Sequence, residues 1–142
     1  MSTEFYINLV DRVLRREART AESGDIFFRI EDYGVFVIEN RGNPWFFRLI
    51  RPGYANESEN ISFARLLEEA NFINSEMRGV KCTVGEGEDF LSVNLEYGAW
   101  LSEPDTFPSE TSAATALSMG MEVILHSVDV LQKLNRDGNL GH

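Results

Sequence analysis

The sequence predicts an α+β fold: a single antiparallel sheet of about five strands with helices packed on it, in the order α-β-β-β-α-β-β-α. One observation behind this is an abrupt change of period at Gly79. Before it, Phe63, Leu66, Leu67, Ala70, Ile73 and Met77 recur at the three-and-four spacing of an amphipathic helix. After it, Val80, Cys82 and Val84 alternate with Lys81 and Thr83, and Leu91, Val93, Leu95 and Tyr97 alternate with Ser92, Asn94 and Glu96. A second observation is that three apolar runs between residues 26 and 51 are joined by links too short for crossover helices, which requires an antiparallel meander. The third is length. A chain of 142 residues, 43% hydrophobic, suits one domain with one core. That core is expected over residues 3–134, with a frayed tail at 135–142.

Taken in order, residues 3–22 read as an N-terminal helix, with Phe5, Tyr6, Leu9, Val10, Val13 and Leu14 on one side and Arg12, Arg15, Arg16 and Arg19 beside that stripe. These arginines hold an acidic partner or pair within the chain; Arg12 and Arg16 are candidate contact residues. Ser23-Gly24-Asp25 breaks the helix. Strands at 26–30, 35–39 and 45–51 follow, separated by Asp32-Tyr33-Gly34 and by Asn40-Arg41-Gly42-Asn43-Pro44, and closed by Pro52-Gly53. If Ile26, Phe28, Ile30, Trp45, Phe47 and Leu49 face the helices, then Phe27, Phe46 and Ile50 face the other way. A soluble monomer avoids a second apolar face of that kind. Either loops and arginine stems such as Arg29 and Arg48 cover it in part, or it is a contact surface for another protein or another copy.

The helix from residue 62 and the hairpin from residue 80 come next. Residues 98–108 are expected to be irregular, with Trp100, Leu101 and Phe107 folded back over the core. The last helix starts after Ser109, a candidate N-cap followed by Glu110 in the positive first turn, and runs to about Leu134 with Leu117, Met121, Ile124, Val128 and Leu131 on its buried side. One shared core is expected for Leu66, Leu67, Ile73, Val93, Leu95, Ile124 and Val128.

Charge narrows the function. The net charge is -10, and residues 52–142, with fifteen acidic and five basic side chains, hold the whole excess. Nucleic acid binding needs a basic footprint, so no such partner is expected. No membrane span or basic, apolar leader is read at the N-terminus, and the expected location is the cytoplasm. Two histidines and a single cysteine do not make a zinc site. His126 is rotated by about 200° from Ile124 on a helix and should face solvent. Cys82 reads as a buried small hydrophobe. Glu86, Glu88 and Asp89 crowd one hairpin turn without the 12-residue loop of a calcium hand. No phosphate loop, dinucleotide fingerprint or nucleophile elbow occurs, and no cofactor or catalytic residue is expected.

The stretch Leu66-Leu67-Glu68-Glu69-Ala70-Asn71-Phe72-Ile73-Asn74, followed by a strand, an acidic glycine turn at 85–89 and a second strand, resembles the YbjN domain family, described as bacterial sensory transduction regulators within the type III secretion chaperone-like fold. The resemblance covers most of residues 5–134, and Ala70-Asn71 with Asn74 is its most specific piece. It implies a cytoplasmic bacterial protein, frequent dimerisation, and binding or regulation of other proteins in place of catalysis. The family has no established catalytic residues to carry over. The expected function is therefore a non-enzymatic, chaperone-like interaction or regulatory module that binds an unidentified protein or forms a homodimer. The alternative is a small-ligand regulatory domain or minor enzyme with a pocket near residues 98–108.

Overall fold

The computed structural model describes residues 3–56, 63–77, 79–86 and 91–137. Its elements are α1 (Thr3–Leu14), β1 (Ala18–Thr20), β2 (Ile26–Ile30), β3 (Gly34–Ile38), β4 (Phe46–Asn56), α2 (Phe63–Glu76), β5 (Lys81–Glu86), β6 (Leu91–Trp100) and α3 (Glu110–Asp137). The six strands form one antiparallel sheet in the order β1-β2-β3-β4-β6-β5. This is the α+β plan read from the sequence, with one strand more.

The extra strand comes from the segment expected to prolong the first helix. Beyond Leu14 the apolar stripe ends, so a longer helix would bury nothing. Arg15 turns left-handed at φ 55, its N–H donating to the Asp11 carbonyl at 2.9 Å. The chain then pairs with β2, where Ala18 lies opposite Phe28 and is buried.

Alternation along the strands divides the sheet into two faces. Ile26, Phe28, Phe36, Ile38, Phe47, Leu49, Cys82 and Leu95 are buried on the face that carries the helices. α3 lies across β4 and β6, α1 against α3, β1 and β2, and α2 against β5 and β6. Ser109 caps α3 through its Oγ, which accepts the Ser112 N–H at 3.1 Å. Leu117, Met121, Ile124, Val128 and Leu131 then fill the core. By length and composition α3 could cross a membrane, but that apolar side is buried here against the sheet and α1.

Three further expectations are corrected. Leu67 is 39% exposed, because α2 buries Glu69, Ala70 and Ile73, and Leu67 lies about 120° round the helix from Ile73. Pro52-Gly53 does not end its strand. It forms a bulge at which Gly53 takes φ 61 and donates its N–H to Asn94 Oδ1 at 2.8 Å, and pairing with β6 resumes at Ala55. Gly98 continues β6 instead of breaking it, since the Phe46 ring occupies the space where a side chain would stand, with Cζ 2.9 Å from a Cβ built there. Trp100 thus ends a strand and is 67% exposed, and Phe107, 63% exposed, rests edge-on against Phe5 at 5.8 Å, so neither folds over the core. Ile73, Leu95, Ile124 and Val128 share the core as expected. The side chains of Leu66, Val93 and Glu86, and residues 87–90 of the acidic turn with Glu88 and Asp89, lie outside the described residues, as does the tail beyond Asp137.

Cys82 is buried, and burial pushes its thiol from 9.0 up to about 12. Only the thiolate reacts, so Cys82 should resist Ellman's reagent in the folded protein at neutral pH and react at the ordinary thiol rate in denaturant. The folded pKa lies above the unfolded one. The thiol therefore favours folding below pH 9.0, and that contribution is lost as pH rises through about 12. A Cys82→Ala variant should show a smaller alkaline loss of stability over that window in denaturant melts.

Candidate protein-contact surface

The face opposite the helices is built by the same alternation that builds the core. One row of paired residues crosses the whole sheet: Arg19, Phe27, Val37, Ile50, Glu96 and Lys81, each opposite the next. Arg29 and Val35 pair in a neighbouring row, and Phe46 and Trp100 pair at the far end. The three apolar residues singled out from the sequence, Phe27, Phe46 and Ile50, all stand on this face and are half-buried. Val35 is 39% exposed. The Phe46 and Trp100 rings meet edge to face, 5.1 Å apart, so the exposed indole is held in place by the aromatic beside it.

Between the two apolar groups lies Arg48. Its guanidinium donates to Glu39 at 3.0 and 3.2 Å and to Glu96, bringing carboxylates from the end of β3 and from β6 onto one cation. Burial lowers the affinity of Arg48 for its proton. The charges of Glu96 and then Glu39 outweigh that, and the guanidinium is held above its ordinary range. Arg48, its charge outnumbered by the two carboxylates, thus covers the middle of the face as an ion-paired cluster and leaves both apolar groups open. Arg29, the other stem that could have served as cover, is itself exposed.

Arg12 and Arg16 are not brought to this face. Arg12 extends from α1 to Glu110 in the first turn of α3, an intramolecular pairing with the acidic part of the chain. Arg16, past the end of α1, is exposed and donates to the Arg15 carbonyl at 3.2 Å. Val35 and Val37, to which the sequence reading gave no face, join the surface, as does Trp100, which that reading placed over the core. The two valines follow from the Phe27 register once β3 is paired with β2, and Trp100 follows once Gly98 is recognised as a strand residue.

Two hollows bear on a ligand site. One of ≈ 480 Å³ is lined by Phe46, Arg48, Lys81, Glu96 and Gly98, with its guanidinium already occupied by carboxylates. The other, of ≈ 470 Å³, lies at the loop after β6, lined by Trp100, Leu101, Ser102, Glu103 and Pro104. The first is dominated by that ion-paired cluster, and the second is mainly apolar.

No protein-family model matches the chain. No curated protein matches it either. Among solved structures, the crystal structure of YbjN from E. coli, a candidate transcription regulator, is similar over 99% of this chain and 96% of its own, with a TM-score of 0.67 and 13% sequence identity. The fold is YbjN-like, in agreement with the resemblance carried by residues 66–74 and the hairpin after them.

Proposed function

We propose that this YbjN-like chain is a non-enzymatic protein-interaction module of regulatory, chaperone-like type, acting in the cytoplasm through the open face of its sheet, and that the simplest partner for that face is a second copy. One observation supports the reading above all. Phe27, Val35, Val37, Ile50, Phe46 and Trp100 stand on one side of a sheet whose helices all pack on the other. Apolar area removed from water is worth about 25 cal/mol per Å2, and two apolar patches on one open sheet face, either side of the Arg48 cluster, are characteristic of a contact site. The apolar residues lie on both sides of the ion-paired Arg48 cluster, and the charged residues Arg19, Arg29 and Lys81 stand at the margins, as the polar rim of an interface does.

Light scattering across a dilution series, on wild type and on Phe46→Glu, tests this. The expected result is a wild-type dimer that dissociates on dilution and a folded Phe46→Glu monomer at every concentration. A carboxylate buried against apolar surface without a partner accounts for the loss. A wild-type protein that stays monomeric throughout and captures nothing through this face would sink the proposal.

A further inference from the structure

The open face is electrically divided, and its division says which part of a second copy fits which part of the first. At the β1–β2 corner, Arg19 stands opposite Phe27 and Arg29 opposite Val35, and the four line a cleft of ≈ 360 Å³ that also includes Glu17. Both arginines are exposed. Arg19 reaches Glu17 only at 3.7 Å, and Arg29 makes no ion pair among the described residues. This corner is therefore net positive in a chain of net charge -10. At the diagonally opposite corner, Trp100 projects with 67% of its surface exposed, beside Glu103 in one shallow hollow, with the exposed Asp105 two residues further on. That corner is net negative around an aromatic.

The two corners are three strands and four to six residues apart, roughly 20–25 Å, so within one molecule they cannot meet. Between molecules they can. A two-fold axis lying between two stacked faces, at right angles to the diagonal joining the corners, exchanges one corner for the other. Both contacts then form at once, and Val37 and Ile50, between the corners, are covered by the same operation. Stacking the face on itself in register does the opposite, setting Arg19 and Arg29 against their own copies.

Resting on the reading of the open face as a contact surface for a second copy, we propose that the dimer is a reciprocal exchange: the acid-flanked Trp100 of each copy seats in the arginine-flanked Phe27–Val35 cleft of the other. The indole then lies beside two guanidinium groups, which aromatic faces attract, and Glu103 and Asp105 meet Arg19 and Arg29. An exposed tryptophan with charge on its rim is the kind of residue that dominates interface energetics.

Charge-swapped variants measured by sedimentation velocity test the exchange. One variant carries Arg19→Glu with Arg29→Glu. The other carries Glu103→Lys with Asp105→Asn, the asparagine chosen because Asp105 sits at φ 65, where it is tolerated. All four positions are exposed, so folding should be unaffected. Each variant alone should dissociate at least about tenfold more readily than wild type, the effect of setting like charges against each other. An equimolar mixture should recover the dimer, because in the mixed pair one cleft–loop contact is charge-reversed and the other is wild type. A wild-type dimer that Glu103→Lys with Asp105→Asn leaves intact, or a mixture that stays monomeric, overturns the exchange while leaving the contact face standing. A wild type that never dimerises overturns both.

Discussion

Phe47→Ala is expected to destabilise the fold by about 3–5 kcal/mol, the usual range for truncating a fully buried phenylalanine. Phe47 is 1% exposed and sits on β4, the strand paired with β3 on one side and β6 on the other. Its ring points to the layer where α3 crosses the sheet. Total stability for a domain of this size is about 5–15 kcal/mol, so the substitution removes a large share of it. Leu67→Ala provides the contrast. Leu67 is 39% exposed, and its truncation should cost less than about 1 kcal/mol. Urea melts of both variants check the pair, read as a fall in midpoint at constant slope. Equal shifts would mean that α2 is rotated from the orientation described.

Gly120→Val should cost about 2–3 kcal/mol, the upper part of the range for overpacking a core. A Cβ at position 120 would stand 2.8 Å from Tyr97 Cδ2 and 3.0 Å from Leu49 Cδ2, so α3 approaches the sheet closely at this glycine. Leu49 can yield by rotating its end, but the Tyr97 contact is to the root of the ring. Valine adds two methyl groups beyond the Cβ and a χ1 that a helix restricts. Gly120→Ala sets two effects against each other, since alanine gains about 1 kcal/mol in helix propensity while its Cβ meets the same two side chains. It should be less damaging than valine. A thermal melt in which Gly120→Val is as stable as wild type would mean that α3 does not pack this closely on β4 and β6.

Much of this architecture is legible in the residues, because a buried face repeats its signal. Ile26, Phe28, Phe47 and Leu49 alternate with outward residues, and that period of two also identifies Phe27, Phe46 and Ile50 as the open face. The change of period at Gly79 holds, and the glycine takes φ 81. β1 is hidden because three residues with a single buried member, Ala18, carry no period. The Pro52-Gly53 bulge and the Gly98 strand residue are hidden because both glycines are explained by distant partners, Asn94 and Phe46. Arg48 reads as an arginine stem over apolar surface, but its two carboxylates come from positions 39 and 96, and only pairing through β3, β4 and β6 assembles them. Asn74 is a residue of the motif that carries the family resemblance. Its amide accepts the Cys82 N–H at 2.7 Å and donates to the Cys82 carbonyl at 3.0 Å, closing the free edge of β5.

The claim that a second copy covers the open face is tested most directly by acrylamide quenching of Trp100 in a Trp45→Phe background, where Trp100 is the sole tryptophan. Trp100 is exposed in the single chain, so at high dilution it should be quenched freely. On raising the protein concentration through the association range, quenching should fall several-fold, and Phe46→Glu should abolish that change. A Trp100 that stays equally accessible at every concentration, while light scattering shows the mass doubling, would contradict the account by placing the dimer contact elsewhere.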